Sequence, residues 1–310
     1  MYISQLKNKI AAYDRYGEHR TNGLKAMFVL ELMMVFYFFS SIQNPYFYFF
    51  YAPITCFAAE LIGRTLEEKY LFLFCTLVGT IISIFLFGVL SIYKLFFVFF
   101  AFFYALSLYF IVHFRLRSML AIVPLILSLA SYSLIYGEFA DSNFYVALNH
   151  ALQTVAASAV IFAGLYVFPK KYYLAIWHRA FCEVVVNLES LCAKICRGEA
   201  NEITIFSGII VMERYSKMLP RQVKYYSILR ITLLVYELIL TMSYLLSFQK
   251  QLRMEYVKVL HKYLAQLSAV CINKKVIVIT QQERSLFKET HELRILHQLI
   301  LSWNYLCQHQ

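Results

Sequence analysis

The sequence predicts an all-α protein: a polytopic membrane helix bundle of six spans, followed by an α-helical cytoplasmic domain. Three observations carry that expectation. Hydrophobic residues make up 61% of the 310 residues and charged residues 15%, against about half and about a quarter in an ordinary soluble domain. The charge is unevenly placed, with 19 of the 29 Lys and Arg and 10 of the 18 Asp and Glu lying in residues 169–310. The apolar stretches before residue 169 recur at lengths near the ~20 residues that a helix needs to cross a bilayer.

Residues 1–23 form a basic arm with Lys7, Lys9, Arg15 and Arg20. They are polar overall and lack the apolar core of a signal peptide. The spans are expected at about 24–42, 45–62, 70–90, 92–113, 118–136 and 145–168. Gln43, Asn44 and Pro45 separate the first two, and Asn-Pro favours a turn. The aromatic run Tyr46–Tyr51 suits an interfacial belt among lipid headgroups.

Loop charge sets the orientation. The N-terminal arm, the Arg64–Lys69 turn, Arg115 with Arg117, and Lys170 with Lys171 fall on one side. The opposite loops offer an uncharged turn, Lys94, and the acidic pair Glu138 and Asp141. Basic loops stay cytoplasmic, so six spans with both termini inside satisfy every loop.

Small residues suggest close helix packing, as they do generally in lipid. Thr76 and Thr80 are four apart, as are Gly79 and Ser83, and the sixth span carries Ala156, Ala157, Ser158, Ala159, Ala163 and Gly164. The fourth span is aromatic on every face, from Phe96 to Tyr104. It therefore faces lipid or an oligomer seam.

The 169–310 region reads as five helices: Lys170–Arg197 capped by Gly198, Ile203–Leu219 ending before Pro220, Arg221–Phe248, about Lys250–Ile272, and about Gln281–Cys307. Val276–Ile279 reads as a short extended piece. Residues 231–248 are apolar enough to resemble a seventh span. Glu237 in mid-segment is costly in lipid, and a crossing would carry Lys250, Arg253, Lys258, Lys262, Lys274 and Lys275 outside. The expectation is a buried core helix of the tail.

Several function classes lack their residues. There is no P-loop, GxGxxG, HExxH or GxSxG pattern, so no enzymatic constellation is expected. The seven cysteines show no zinc spacing, and their reading is free thiols in a reducing compartment. The five tail histidines, His178, His261, His291, His297 and His309, read as solvated or helix-surface groups. The basic balance has no nucleic-acid motif beside it. No cofactor is called for.

The informative polar groups lie inside the spans. Glu31 sits about seven residues into the first, where a carboxylate should face the bundle interior or a water-filled path. It reads either as a titrating or gating group or as a protonated group bonded to a neighbouring helix. His150, Thr154 and Ser158 share one face at i, i+4, i+8, with Gln153 beside them. That stripe lines either a pathway or a helix interface. Glu60 pairs with Arg64 at i,i+4, and Lys94 snorkels to the interface. Arg64, Arg115 and Arg117 form a basic inner mouth that would concentrate anions.

The turn between the second and third spans carries a resemblance. Gly63-Arg64-Thr65-Leu66, followed by Gly79-Thr80-Ile81-Ile82-Ser83 and preceded by Pro53-Ile54-Thr55, resembles the pattern of bacterial fusaric-acid-resistance and aromatic-acid-exporter proteins. Two positions depart from it: Thr76 stands where that family often has Arg, and Ser83 where it has Gly. The resemblance implies efflux of small organic anions or aromatic acids across a bacterial inner membrane. Because many members double the six-span unit, it also implies a homo-oligomer. Plant aluminium-activated malate channels are similar in layout, which keeps an anion channel open. A membrane-anchored scaffold acting through its helical domain is the reading from a different class.

Overall fold

The computed structural model describes residues 12–40, 42, 45, 48–49, 66–115, 119–136, 144–199, 207–219, 223–247 and 254–308. Regular structure among them is helical, with no strand. In chain order the longer helices are α1 (Glu18–Phe39), α2 (Leu66–Leu90), α3 (Lys94–Arg115), α4 (Ile122–Tyr136), α5 (Phe144–Val167), α6 (Lys171–Arg197), α7 (Ser207–Met218), α8 (Val223–Ser247), α9 (Met254–Cys271), α10 (Gln281–Leu286) and α11 (His291–Gln308). The chain divides into two compact units. Among the described residues, an apolar one lies within His19–Pro169, and a charged one within Lys170–Gln310 together with residues 12–18.

Five helices among the described residues are long and apolar enough to cross a membrane: α1, α2, α3, α5 and α8. The first four coincide with expected spans. At 15 residues, α4 rises only about 22 Å, short of a ~30 Å hydrocarbon core. Most of the expected 45–62 span lies outside the described residues, as do Gly63–Thr65 and the acidic pair Glu138 and Asp141.

The apolar unit is built around α2, which packs on α4 and α5. The α2–α5 pair is antiparallel: Gly88 meets Ala147, Phe85 meets Phe144, Phe74 meets Phe162, and the Tyr70 hydroxyl donates to the Leu165 carbonyl at 3.3 Å. Glycine is required at Gly88, where a Cβ would stand 2.7 Å from the Ala147 Cβ; on Gly79 a Cβ would stand 2.3 Å from the tip of Ile126 on α4, whose side chain would have to turn aside. Gly164 of α5 receives Val29 and Leu32 of α1. The expected role of small residues thus has a geometric basis at these three glycines. α3 runs antiparallel to α2, touching it through Phe97, Phe100 and Tyr104 against Phe87. Val112 is its one fully buried residue, so its remaining aromatic surface points outward.

These pairings set the ends of the bundle. Since α3 reverses α2, Arg115 comes level with the start of α2, where Lys69 lies. Phe28 against Phe168 puts the start of α1, with Lys25, at the end of α5. Lys25, Lys69 and Arg115 therefore gather at one end of the apolar unit.

The charged unit is organised by α6, an amphipathic helix of 27 residues. Its periodic apolar face buries Trp177, Phe181, Val184 and Leu188 completely. It stops at Gly198, whose φ of 73° is left-handed and whose N–H bonds the Ile195 carbonyl, as the sequence predicts. α7 comes close through Gly208, where a Cβ would stand 3.1 Å from the Ala180 carbonyl. Residues 12–18, expected as part of a separate arm, pack on this unit. Arg15 pairs with Glu183 at 2.6 Å, and Arg179 donates to the Tyr16 carbonyl at 2.9 Å.

α8 supplies core to the charged unit. Ile228, Ile231, Val235, Leu238 and Met242 are buried, α11 packs along it, and Thr232 accepts the Trp177 indole N–H at 3.0 Å. The expected helix over 281–307 is broken in two. Thr280 and Glu283 form a capping box that starts α10. Phe287 then turns inward onto Tyr263 and His297, with ring centroids 4.6 and 4.9 Å away. The Thr290 hydroxyl accepts the Leu293 N–H to start α11. The Val276–Ile279 piece is not helical. The Asn304 amide bonds both backbone groups of Ile277, at 2.8 and 2.7 Å, in place of a neighbouring strand.

Candidate functional site

The interior of the apolar unit is polar along two helices. On α5, His150, Gln153, Thr154 and Ser158 are buried. On α2, Thr76, Thr80 and Ser83 are fully buried. The α2–α5 pairing sets their levels. With Gly88 beside Ala147 and Tyr70 beside Leu165, Thr80 lies at the depth of Thr154, and Thr76 at the depth of Ser158. The sequence placed the α5 stripe by its spacing. The α2 threonines read there only as packing residues, because hydroxyl burial is not visible in periodicity.

Hydrogen-bond bookkeeping separates the two sets. Thr154 donates to the His150 carbonyl at 2.9 Å and Ser158 to the Thr154 carbonyl at 2.7 Å. Ser83 bonds the Gly79 carbonyl and the Tyr104 hydroxyl, each at 2.7 Å. Hydroxyls that bond back to their own helix have used their proton, leaving lone pairs for the interior. Among the described residues, Thr76 Oγ1, Thr80 Oγ1 and Gln153 Oε1 are buried without a hydrogen-bond partner. Such a group costs about 1–3 kcal/mol when nothing satisfies it. The threonines are thus uncommitted donors on the α2 side, and Gln153 an uncommitted acceptor on the α5 side.

Glu31 corrects an expectation. It is exposed on the outside of α1 and does not join His150 in the interior. The buried positions of α1 are Thr21, Lys25, Val29 and Met33, spaced by four. Glu31 lies half a turn from that line, beside exposed Met27, Met34 and Val35. Gly164 accepts α1 through the Val29 edge, which rotates the carboxylate away. Of the basic mouth, Arg115 is exposed at the end of α3, while Arg64 and Arg117 lie outside the described residues. Glu60 lies outside them too. Lys94 is exposed at the start of α3.

The charged unit holds a smaller polar cluster that the sequence misread. His178, expected on a helix surface, is partly buried. Its Nε2 meets the Cys271 carbonyl at 2.9 Å, its ring stacks on Trp303 at 5.8 Å, and Cys182 Sγ lies 3.7 Å away. Burial holds its pKa below the ordinary imidazole value, against the opposing Cys271 contact. His297 is likewise half-buried, stacked on Phe287. Cys271 comes from 93 residues away, a separation no local pattern reveals. Among the described residues no group of three or more His, Cys, Asp or Glu side chains could hold a metal ion.

Comparison of the chain with protein-family models, curated proteins and solved structures found no match in any of the three.

Proposed function

We propose that this chain is an integral membrane transporter that moves small organic anions, aromatic acids among them, outward across a bacterial inner membrane. Both termini are then cytoplasmic. The observation that carries the reading is the polar interior of the apolar unit, where Thr76 Oγ1, Thr80 Oγ1 and Gln153 Oε1 are buried without a hydrogen-bond partner among the described residues, at the depth of the His150–Ser158 stripe. Helices that only pack in lipid gain nothing from orphaned hydroxyls, whereas a path for a hydrated or carboxylate-bearing solute uses them as donors that become satisfied in passage. The cluster of Lys25, Lys69 and Arg115 at one end agrees with the positive-inside rule. It would raise the local concentration of anions at the cytoplasmic mouth. The Gly79-Thr80 pattern adds the resemblance to aromatic-acid exporters.

The homo-oligomer belongs to the same proposal. Glu31 points outward from an apolar face of α1, and a carboxylate against hydrocarbon costs a few kcal/mol. A second copy that brings a hydrogen-bond donor to that face lowers the cost.

The test is flux in proteoliposomes loaded with a fluorescent aromatic carboxylate under a pH or voltage gradient. Thr76→Val with Thr80→Val, which keeps the shape and removes both hydroxyls, should cut transport about tenfold or more, and His150→Ala should also lower it. Wild-type protein that moves no organic anion under either gradient refutes the function. Undiminished flux in the double valine variant refutes the path.

A further inference from the structure

α8 carries two apolar faces, and only one is used inside the chain. The inner face packs on α6, α7 and α11. The outer face holds Tyr226, Leu233 and Leu240, exposed by 68%, 60% and 70%, at steps of seven. Arg230, Glu237 and Tyr244 repeat at the same step. This second stripe raises the hydropathy of α8 to that of a membrane span. A repeat of seven is the spacing by which one helix meets another along its length.

Charge placement decides which helix. Arg230 and Glu237 are exposed on the same flank of the stripe, and Leu233 lies between them. Arg230 makes no ion pair among the described residues, and Glu237 faces only His291, at 3.6 Å. In an antiparallel pair about a two-fold axis at Leu233, each copy's Arg230 comes within one residue of the level of the other's Glu237, on the same flank, about 1.5 Å apart along the axis. Tyr226 then comes opposite Leu240, and Leu233 meets its own counterpart. A parallel pair puts the two charges on opposite flanks, where they do not meet. The surface is therefore complementary to itself in one arrangement, which is the requirement of an isologous interface.

We infer that α8 is a dimerisation helix, pairing antiparallel with α8 of a second copy of this chain through Tyr226, Leu233 and Leu240, with Arg230 and Glu237 exchanged across the two-fold. Two copies inserted in the same sense are related by an axis along the membrane normal. Antiparallel helices about such an axis lie across it, so a paired α8 does not span. The inference is independent of what the apolar unit carries.

Cross-linking of the full-length protein in native membranes tests it, read against wild type to account for the native cysteines. Leu233→Cys should give a covalent dimer with a short bis-maleimide. Tyr226→Cys co-expressed with Leu240→Cys should cross-link, and Tyr226→Cys alone should not. In the Leu233→Cys background, Arg230→Glu or Glu237→Arg should each reduce the dimer at least tenfold. The two reversals together should restore it. Both charged positions are exposed, so the variants keep the fold. No dimer from Leu233→Cys, a dimer from Tyr226→Cys alone, or a double reversal no better than the single ones would each overturn the proposal. Transport assayed on the same membranes is a separate readout, so loss of either reading is seen without the other.

Discussion

Gly88 offers the most direct test of how the apolar unit is held together. A methyl group there would stand 2.7 Å from the Ala147 Cβ and 3.4 Å from its Cα. Carbon atoms in contact prefer about 3.5–4.0 Å, so α2 and α5 must part by roughly 1 Å at this level. Neither atom can rotate away, since one is a Cβ and the other backbone. Overpacking of this kind costs about 1–3 kcal/mol. Alanine gains back about 0.5–1 kcal/mol over glycine in a helix interior. The net expectation for Gly88→Ala is a loss of up to about 2.5 kcal/mol, centred near 1. Gly23 of α1 is the control: a Cβ there meets nothing within 4 Å, so Gly23→Ala should instead stabilise by the propensity term. The assay is equilibrium unfolding in mixed micelles, followed by helical circular dichroism. Ala147→Gly in the Gly88→Ala background removes the opposing methyl and should recover most of the loss, a coupling expected for residues in contact. A Gly88→Ala protein stabilised as much as Gly23→Ala, or one that Ala147→Gly fails to rescue, refutes the antiparallel α2–α5 packing on which the depths of Thr76, Thr80 and His150 depend.

Other expectations follow from single contacts. Thr232→Val leaves the buried Trp177 indole N–H without its acceptor and should destabilise the charged unit by about 1–3 kcal/mol, measured by denaturant unfolding of the purified protein. His178 is neutral in the fold, with its pKa held below 6.5 mainly by burial. It therefore contributes stability above pH 6.5 that is lost as pH falls through its lower folded value. Thermal unfolding followed by circular dichroism should fall over that acid window in wild type and fall less in His178→Gln. An equal fall in the variant counts against the assignment. Glu213 is held below its ordinary carboxylate pKa by Lys217 first and Tyr236 second, so its contribution is present above pH 4.5 and disappears at lower pH. Glu213→Gln should remove that acid-limb loss. Glu31→Leu should reduce the oligomeric fraction seen by chemical cross-linking in membranes. An oligomer strengthened by the change would mean that Glu31 meets lipid and not a partner.

What could be read from the sequence follows the range of the interactions involved. The Gly198 cap and the ends of α6 are local, set by a left-handed residue and a 3.6-residue period, and they were legible. The α5 stripe was legible for the same reason. The direction of Glu31 was not. It depends on which edge of α1 docks at Gly164, a contact between residues more than a hundred positions apart. The break between α10 and α11 had a local signal in Thr280-Gln-Gln-Glu283, a capping-box spacing hidden by the continuous helix-forming residues around it. His178 was misread because its exposure is decided by Cys271 and Trp303. For α8, the apolar run alone could not separate a span from a core helix, because only packing reveals that one apolar face is buried and the other exposed.

The aromatic stack in the charged unit has an optical consequence. Trp177 and Trp303 are the only tryptophans in the chain. Both lie against Phe181, with centroids at 5.4 and 5.0 Å and rings stacked nearly parallel. The apolar unit contains none. Tryptophan emission from the unmodified protein therefore reports on the α6–α8–α11 core alone, and tyrosine is the intrinsic fluorophore of the apolar unit. A solute that quenches or shifts tryptophan emission acts on the charged unit, and one that binds only in the polar interior leaves it unchanged. The sequence thus carries its own reporter of the charged unit, needing no label, while tyrosine emission is shared by both units.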